Sequence, residues 1–404
     1  KNLKNVRGSS LGEIINMDSM QIYRGFPIAT NIPTEEERSS IPHHMFGFLD
    51  PAVKDYSLQN YVTQASTLIN EIHGRGNIPI LVGGTHYYLF SLLWERAKDL
   101  DYQLIPVDDI PEEELWEELR KIDPLMAEKQ HPNDHRKIRK NIQYYRATGK
   151  LPSSCFLNEN KAPSLLWECC FMWVDCDLEL LRPRLDARVD KMMELGLLQE
   201  LRDLVHYLCS KKEPLSFTKG ILQAIGGKEF DKYIKLVFPL QETENSEYIL
   251  EDNVDSSNLH EIIAQNLEKR SEEITKAIEE GTEALKLRTR QYAKRQKPWV
   301  RNKLLTRTDI FRVPASDVSN WEEEIFAPAL EICQKFTTGN LDTLVSNHPW
   351  LLQKKEPAPE SQLQNWKKFD CDLCNRTYNG ELEWNEHLKS KLHRKNKKRQ
   401  RTGT

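Results

Sequence analysis

Apolar and polar positions along this chain follow two different periods. Short apolar runs at residues 12–17, 77–82 and 168–176 have the length and composition of strands that are buried in a parallel sheet. Residues 56–73 and 180–208 instead carry apolar side chains at the 3.6-residue spacing of helices. Because short apolar strands and amphipathic helices take turns along the chain, the pattern predicts an α/β fold built from βαβ units.

The other stretches predict how this α/β core is divided. Residues 111–149 have a highly charged helical pattern, residues 233–257 are acidic without a clear period, and residues 259–302 form a long helical pattern. Prolines and Gly339 among polar residues then indicate a linker. We predict a first part of the core, a helical insertion, a second part of the core, a linker and a small C-terminal module, at residues 1–109, 110–166, 167–335, 336–365 and 366–404.

The composition is that of an ordinary globular protein. The chain has 404 residues, of which 39% are hydrophobic and 29% charged, and its net charge of −4 averages over regions of opposite sign. No run of about 18 apolar residues is present, so no transmembrane helix is expected. Eight cysteines in a chain of this length do not make a disulfide scaffold. The first residue is Lys1 rather than Met, so we expect a fragment, a processed chain or an incomplete gene model.

The C-terminal module carries the spacing of a zinc site. Two cysteines and two histidines follow the pattern Cys371-x2-Cys374-x12-His387-x5-His393, which matches Cys2His2 zinc fingers. A module of about 40 residues folds poorly without such a staple. Four apolar residues would form the small core beside the metal, namely Phe369, Tyr378, Trp384 and Leu388. The basic tail at residues 394–401 predicts contact with phosphates, with nuclear import as the alternative.

Two clusters of basic residues predict contact with an anionic polymer. One lies in the helical insertion and comprises Arg136, Lys137, Arg139, Lys140 and Arg146. The other ends the long helical pattern and spaces four cations along one helix face, namely Arg290, Lys294, Lys297 and Arg301. Like charges at this spacing repel, so either an anion such as RNA or the solvent must relieve them. A solvated surface therefore stays open as the alternative for both clusters.

Two strand ends carry residues that suit chemistry. Asp18 leaves the carboxyl end of the first strand, where open α/β sheets place their ligands. The second strand ends in Gly83-Gly84-Thr85, and glycines at such a turn let backbone N–H groups approach an anion at the start of the next helix. The alternatives are an Asp that caps a loop and a glycine turn that needs positive φ.

Seven short motifs occur along the chain in a specific order. They are DSMQIYRG at residues 18–25, PHH at 42–44, LVGGT at 81–85, HPND at 131–134, RVDxM at 188–192, QAIG at 223–226 and TRQYAKRQ at 289–296. In this order they resemble the tRNA dimethylallyltransferases, also called tRNA isopentenyltransferases, from about residue 12 to residue 302. The module beyond resembles the U1-type or matrin-type zinc fingers that bind RNA, and its presence resembles the eukaryotic members of the family.

The resemblance implies a P-loop-kinase-like parallel sheet with a helical insertion domain and a C-terminal Cys2His2 zinc finger. It implies transfer of a dimethylallyl group from dimethylallyl diphosphate to N6 of the adenosine 3′ of the anticodon (position 37) in tRNA. Asp18 matches the general base for the exocyclic amine, and Arg188 matches the arginine for the leaving diphosphate. The residues expected to bind the tRNA anticodon stem-loop are Ser19, Met20, Gln21, Thr85, Arg136, Lys137, Ile138, Arg139, Lys140, Arg290, Lys294 and Arg295.

The chain departs from the family at the phosphate-binding loop. No Gly-x-x-x-x-Gly-Lys-[Ser/Thr] loop precedes Asp18, so the main diphosphate cradle and the hydroxyl that would hold Mg²⁺ are missing. Gly227 also replaces an aromatic residue that is usual in its motif. We expect zinc in the finger, Mg²⁺ only where the loop is present, and no prenyl transfer by the chain as written. We also expect the natural full-length protein to have the loop.

Three other functions stay open at the level of the sequence. The first is a non-catalytic tRNA- or RNA-binding paralogue, which the missing loop favours. The others are a prenyltransferase acting on free adenine nucleotides and a small-molecule kinase of the same fold. The finger and the basic helix weigh against these two, because a small substrate needs neither. We expect a monomer with no membrane partner, located in the cytoplasm with mitochondrial or nuclear pools.

Overall fold

A computed structural model describes residues 11–94, 105–154, 164–244, 246–252, 254, 258–342, 352–355, 368–374, 376–379 and 381–402. The chain divides into two compact units. The first comprises residues 1–94 and 166–356, and the second comprises residues 95–165 and 357–404. No helix within the described ranges is both long and apolar enough to cross a membrane.

The first unit contains two three-stranded sheets. In one, β1 (Gly12–Asn16) lies between β2 (His43–His44) and β3 (Ile78–Val82), and all three strands are parallel. In the other, β7 (Ile310–Pro314) lies between β4 (Met172–Asp175), which is parallel to it, and β8 (Leu352–Gln353), which is antiparallel. The short strands β5 (Leu240–Glu242) and β6 (Tyr248–Leu250) form a separate hairpin.

Strands β3 and β4 are more exposed than the sequence predicts. Their apolar composition predicts burial, but Val82 is 50% exposed and Val174 is 60% exposed. Strand β3 pairs only with β1, and β4 pairs only with β7, among the residues with described positions. The prediction that both strands are buried is therefore wrong, because the outer edge of each is not covered by a further described strand.

The helices of the first unit follow the apolar period that the sequence shows. In the helix after β2, Ser57 and Asn60 form a capping box at the start, and Tyr61, Ala65 and Ile69 face the core. The helices α1–α4 span Pro27–Thr30, Glu35–Arg38, Leu58–Gly74 and His86–Leu93. The later α-helices of this unit span Leu178–Glu194 (α8), Leu197–Ser210 (α9), Asp231–Val237 (α10), Leu259–Lys269 (α11), Ser271–Trp299 (α12) and Ala327–Thr337 (α13).

Two long helical patterns are each divided in the structure. The helix predicted for residues 180–208 is broken at Gly196, whose φ of 97° lies in the left-handed region that glycine adopts without strain. The pattern of residues 259–302 divides at Arg270 into α11 and α12. Helix α12 continues through Pro298 and then becomes a π-helix at Val300–Leu304. The main core lies among these helices and includes Val189, Leu201, Phe230, Tyr233 and Leu285.

Two stretches without a clear helical or strand pattern in the sequence contain regular structure. Residues 233–257, which lack a clear period, include most of α10 and the hairpin of β5 and β6. Strand β8 lies within the predicted linker and pairs with β7, so the linker prediction is wrong at Leu352–Gln353. Shorter elements span Ile221–Gln223 and Lys228–Phe230, which are 3₁₀-helices, and Glu322–Phe326, which is a π-helix.

The second unit contains a small helical bundle and the finger. Its helices α5 (Leu115–Ile122), α6 (Pro124–Glu128) and α7 (His135–Thr148) bury Leu119, Ile138 and Ile142 in a core of their own. The finger is an antiparallel hairpin followed by two helices: β9 (Lys368–Cys371), β10 (Arg376–Asn379), α14 (Glu381–Lys389) and α15 (Lys391–Thr402).

Candidate functional site

Asn16 fixes the backbone of Asp18 at the end of β1. The side chain of Asn16 is fully buried, and its Oδ1 accepts a hydrogen bond from the N–H of Asp18 at 2.9 Å. Its Nδ2 donates to the carbonyls of Asp18 and Met45, both at 3.0 Å. The hydroxyl of Tyr61 donates to the Asn16 carbonyl at 3.0 Å and joins α3 to this strand end. Asp18 therefore leaves the sheet in one defined direction.

The carboxylate of Asp18 is half-buried and more basic than an ordinary aspartate. Burial raises its pKa, and hydrogen bonds from the backbone N–H groups of Met20 and Gln21 offset part of this rise. The N–H of Met20 lies 2.8 Å from Oδ1. A carboxylate with a raised pKa accepts a proton more readily, so the environment of Asp18 suits a general base.

The turn after β3 packs directly on the Asp18 loop. The N–H of Met17 donates to the Val82 carbonyl at 2.8 Å, and the N–H of Thr85 donates to the Met17 carbonyl at 3.1 Å. A Cβ on Gly83 would lie 2.3 Å from the carbonyl carbon of Met17, so only glycine allows this approach. Thr85 also accepts a hydrogen bond from the N–H of Ser19 at 3.0 Å. The two strand ends singled out in the sequence therefore form one site.

Tyr292 on α12 completes this group, and the sequence alone predicts no role for it. Its hydroxyl lies 2.8 Å from the position that a Cβ on Gly84 would occupy, and Oδ2 of Asp18 lies 4.0 Å from the same position. Burial raises the pKa of Tyr292, and the charge of Asp18 adds to this. The available signal was the place of Tyr292 in the motif at residues 289–296, between two cations.

Met20 and Gln21 contribute to the shape of the loop. The side-chain amide of Gln21 donates to the carbonyls of Thr30 and Asn31 at 3.0 and 2.9 Å, and so joins the loop to the end of α1. Met20 packs against the main core as a partly buried side chain. Contacts of Ser19, Met20, Gln21 and Thr85 with tRNA stay predictions.

Arg188 on α8 differs from its basic neighbours. Its side chain is exposed, but nearby protein atoms crowd the guanidinium enough to lower its pKa. Within the part of the chain that the structure describes, no carboxylate pairs with it. Other cations of this region are engaged, since Lys286 pairs with Asp190 at 2.7 Å and Arg184 donates to the carbonyls of Ala315 and Ser316. Arg188 is therefore available to an anionic ligand.

The basic stripe on α12 is shorter than predicted. Arg290 pairs with Asp186 at 2.6 Å, and Lys297 pairs with the buried Asp175 at 2.9 Å. These two cations are neutralised by protein carboxylates, which the spacing of basic residues could not reveal. Of the predicted cations, Lys294 and Arg295 on α12 and Arg301 on the following π-helix stay exposed. Their contact with tRNA, and that of Arg290, stays a prediction.

The basic cluster of the insertion is also partly paired. Arg139 pairs with Glu112 at 3.1 Å, and Lys137 pairs with Asp134 at 2.6 Å. Arg146 pairs with Asp109 at 2.7 Å. Such exposed pairs are weak, so phosphates can compete for the cations. For Arg136, Lys137, Arg139 and Lys140 contact with tRNA stays a prediction.

Ile138 does not belong to this surface. Its side chain is fully buried in the core of the insertion, beside Leu119 and Ile142. The expectation that it contacts RNA is therefore wrong. The physical reason is the helical period, which turns this one position of the cluster inward while its basic neighbours face outward.

A buried cluster at Glu13 supports the start of the first sheet. The carboxylate accepts hydrogen bonds from Arg75 and Asn77 at 2.8 and 2.7 Å, and it lies 2.7 Å from Nε2 of His44. These hydrogen bonds, with that of Arg75 the largest, lower the pKa of Glu13 to about 2. Glu13 thereby ties together β1, β2 and the loop that follows α3.

The four predicted zinc ligands converge in the finger. Ligand atoms of Cys371, Cys374, His387 and His393 lie within 4.8 Å of one another. Sγ of Cys371 lies 3.4 Å from Nδ1 of His393, which lies 3.0 Å from Nε2 of His387. These separations fit two thiolates and two imidazoles around one tetrahedral ion.

Aromatic rings beside these ligands form the small core of the finger. The ring of Trp384 stacks on Phe369 with centroids 5.4 Å apart, and Tyr378 stacks on His387 at 4.1 Å. Leu388 is 38% exposed and lies at the edge of this group. The donor set, its spacing and its buried position suit zinc.

The chain is similar to known proteins over most of its length. The family model described as IPP transferase matches residues 21–303, and the model described as zinc-finger double-stranded RNA-binding matches residues 368–394. The tRNA dimethylallyltransferase of Homo sapiens is 34% identical over 96% of this chain and 81% of its own length. That of Saccharomyces cerevisiae is 34% identical over 96% of this chain and 86% of its own length.

A solved structure supports the same assignment. A crystal structure of a eukaryotic dimethylallyltransferase acting on tRNA is similar with a TM-score of 0.72 and 31% identity, over 97% of this chain and 91% of that chain. The predicted fold, an α/β core with a C-terminal zinc-finger module, is confirmed by this similarity. With a family model matched over most of its length and relatives that share a third of its residues, this chain belongs to the IPP transferase family.

Proposed function

We propose that this protein transfers a dimethylallyl group from dimethylallyl diphosphate to an adenosine next to the anticodon of tRNA. The observation that carries the proposal is the position of Asp18, a half-buried carboxylate of raised pKa at the end of β1. The names of the relatives support the class of reaction, and the resemblance of the motifs supports N6 of adenosine 37 as the acceptor.

The chemistry assigns a proton acceptor to the nucleotide side of the site. The exocyclic amine of adenine is a weak nucleophile because its lone pair is delocalised into the ring. As the bond forms between N6 and the first carbon of the dimethylallyl group, the bond from that carbon to the diphosphate oxygen breaks. The amine proton passes to the carboxylate of Asp18, and the electron pair of the broken bond leaves with the diphosphate. General-base catalysis of this kind contributes ~10²–10⁴ in rate.

Two further groups would hold the substrates in place. The hydroxyls of Ser19 and Thr85 lie 3.2 Å apart beside Asp18, where they are placed to orient the extruded adenosine. Arg188 supplies an unpaired guanidinium for the leaving diphosphate, whose charge increases as the bond breaks.

The outer edges of β3 and β4 suit a further strand. Both strands expose apolar side chains there, most strongly at Val82 and Val174. A parallel strand at such an edge would satisfy the backbone groups of the edge, and its own side chains would pack beside those of Val82 and Val174. A phosphate-binding loop on that strand would add backbone N–H groups and the hydroxyl that holds Mg²⁺ to the part of the site that binds the diphosphate, which we call the donor side. Mg²⁺ and its ligands are part of this proposal.

The finger would add affinity for the RNA. Its second helix, α15, is strongly basic, and the hairpin and first helix are stabilised by the zinc ligands. We expect removal of zinc with a chelator to weaken tRNA binding, because the finger loses the ion that supports its small core. Measured binding that is indifferent to both chelator and salt would argue against this part of the proposal. A monomer in the cytoplasm, with mitochondrial or nuclear pools, is proposed on the resemblance alone.

The proposal is tested by transfer from labelled dimethylallyl diphosphate to undermodified tRNA. The assay compares this chain with a version extended at its N-terminus by a phosphate-binding loop. We expect the extended protein to label adenosine next to the anticodon and this chain to bind the tRNA without labelling it. An extended protein that binds tRNA but transfers nothing would support the non-catalytic RNA-binding alternative. Labelling of free adenine nucleotides in preference to tRNA would contradict the proposed acceptor.

A further inference from the structure

A group of aromatic side chains surrounds Trp299 at the end of α12. The ring of His86 stacks on Trp299 with centroids 4.0 Å apart and planes 11° apart, and Phe90 lies 4.9 Å away. Tyr87 meets Trp299 edge-on at 6.4 Å, and its own side chain is 69% exposed. Burial lowers the pKa of His86, which favours the neutral imidazole in this stack. We call these four residues the aromatic platform.

The platform joins α4 to the end of α12. Phe90 and His86 lie on one face of α4, one helical turn apart, and hold the indole of Trp299 between α4 and the end of α12. Tyr87 points its ring outward instead, where it contributes little to the stability of the fold. An exposed tyrosine supported edge-on by a second aromatic ring offers a flat apolar face to a planar ligand.

The charges around the platform favour an anionic ligand. The guanidinium of Arg307 lies 5.0 Å from the centre of the Phe90 ring. Arg301 and Lys303 follow Trp299 on the π-helix, and both are exposed. None of these three cations pairs with a carboxylate among the residues for which the structure gives positions. Cations near an aromatic face that lack carboxylate partners match a ligand that combines planar bases with phosphates.

Another exposed aromatic residue of the same unit has the opposite surroundings. Trp321 is 47% exposed and Tyr87 is 69% exposed, so both rings face the solvent. Trp321 differs because three glutamates follow it directly, namely Glu322, Glu323 and Glu324. That acidic surface would repel phosphates. Aromatic exposure alone therefore does not predict RNA binding, and it is the combination with unpaired cations that distinguishes the platform.

The platform lies close to Asp18 and Thr85, which form the acceptor side of the site, where the adenosine binds in the proposed function. His86 directly follows Thr85, which accepts a hydrogen bond from the N–H of Ser19. On α12, Tyr292 lies beside Asp18 and Gly84, and Trp299 follows seven residues later. At about 1.5 Å per residue this separation along the helix is ~10 Å, a span of two or three nucleotides at most. A base next to the one held at Asp18 can therefore reach the platform.

We propose that the aromatic platform stacks an unpaired base of the tRNA loop that neighbours the acceptor adenosine, with Tyr87 as the contacting ring. Extruding one base from a loop also unstacks its neighbours, which then need a new stacking partner. The platform supplies it, and Arg301, Lys303 and Arg307 bind the adjoining phosphates. This inference rests on the proposed function, because it takes its ligand to be the loop that presents the acceptor adenosine.

The test uses the full chain and an anticodon stem-loop RNA with the fluorescent base 2-aminopurine beside the acceptor adenosine. We expect binding to quench the fluorescence, and we expect Tyr87→Leu to weaken binding roughly 5- to 20-fold and to reduce the quenching. Tyr87→Phe keeps the ring and should bind as the wild type does. Trp321→Leu, which removes an exposed ring from the acidic surface, serves as the matched control and should leave binding unchanged.

The outcomes separate this inference from the proposed function. Unchanged binding and quenching in Tyr87→Leu, with the wild-type chain binding the RNA, overturn the platform and leave the proposed function in place. Equal losses in Tyr87→Leu and Tyr87→Phe also overturn it, because a hydroxyl contact rather than stacking would then explain the effect. A wild-type chain that binds no stem-loop RNA overturns both. Circular dichroism and thermal unfolding of each variant exclude loss of fold as the cause.

Discussion

The acceptor side and the donor side of the candidate site are built in different ways. On the acceptor side, Asp18 is held by Asn16, Thr85 is held by Met17, and a glycine turn packs against both. On the donor side, Arg188 has no carboxylate partner among the described residues, and the strands β3 and β4 expose apolar side chains. The acceptor side is thus positioned by contacts already present in this chain. The donor side offers charge without a comparable set of positioning contacts.

The two sides serve two different tasks of a transferase, which are acceptance of the amine proton and binding of the diphosphate. A proton acceptor must point at one hydrogen, so it needs a fixed geometry and a suitable pKa. A diphosphate needs many donors and cations, which a loop and a metal ion can supply together. Substitutions on the acceptor side should therefore change the chemical step, whereas substitutions on the donor side should change both binding and leaving of the diphosphate.

The largest effect is expected for Asp18→Asn in the N-terminally extended protein. An amide cannot accept the amine proton, so kcat should fall by ~10²–10⁴ while the affinity for tRNA stays close to that of the wild type. Single-turnover transfer and tRNA binding are the measurements. Asp55→Asn, a change at an exposed aspartate of the same unit, is the matched control. Full activity in Asp18→Asn would make the general-base assignment wrong.

Arg188→Ala should have the next largest effect. Loss of a charge that stabilises the leaving group costs ~10²–10³ in kcat, and KM for dimethylallyl diphosphate should rise as well because the cation also binds the ground state. Arg188→Lys should recover part of the loss, since a point charge lacks the fork of the guanidinium. Steady-state kinetics in which Arg188→Ala alters only KM for tRNA would place Arg188 on the acceptor side instead.

Gly83→Ala tests the contact that holds the acceptor side together. The new Cβ would lie 2.3 Å from the Met17 carbonyl carbon, so the turn must move away from the Asp18 loop. We expect the free energy of unfolding to fall by about 2–3 kcal/mol. Gly74→Ala is the matched control, because nothing lies within 4 Å of its Cβ position and α3 ends there. Denaturant unfolding that gives equal values for both variants would refute the close packing.

A smaller effect is expected for the pH dependence that Glu13 confers. Its pKa is about 2 in the folded protein against 4.5 for an unperturbed glutamate, so it stabilises the fold fully above pH 4.5. This contribution is lost as the pH falls from 4.5 towards 2, because the unfolded state then binds the proton first. Glu13→Gln should flatten the dependence by about 1–3 kcal/mol over this range.

The measurement for Glu13 is denaturant unfolding at a series of acidic pH values. Glu279→Gln, at an exposed position on α12, is the control and should leave the curve unchanged. A wild-type curve as flat as that of Glu13→Gln between pH 4.5 and 2 would show that the hydrogen bonds from Arg75 and Asn77 do not persist in solution.

The residues of the acceptor side could be predicted from the sequence because they are consecutive or lie at strand ends. Asp18 and Thr85 follow apolar strands, and parallel strands bring their carboxyl ends to one edge. Tyr292 was missed, since it arrives from a helix more than 200 positions away in the chain. The zinc ligands were recognisable because their spacing is itself the chemistry, and the structure brings them together.

Other features depend on pairing that a single sequence does not display. The neutralisation of Arg290 and Lys297 by Asp186 and Asp175 joins residues about a hundred positions apart, so the basic stripe looked longer than it is. Burial of β3 and β4 was overpredicted because apolar composition does not say how many neighbours a strand has. The position of Ile138 was readable from the helical period, but the basic residues on either side of it concealed this.

Helix α12 contacts both sides of the site at once. On the acceptor side, Tyr292 lies beside Asp18 and Gly84. On the donor side, Arg290 pairs with Asp186 and Lys286 pairs with Asp190. These two aspartates flank Arg188 on α8. Because the helix is rigid, a displacement of α12 at one of these contacts also displaces the other. Substitutions in α12 should consequently show epistasis with substitutions at either substrate pocket, and the helix would diversify in evolution only in step with both of them.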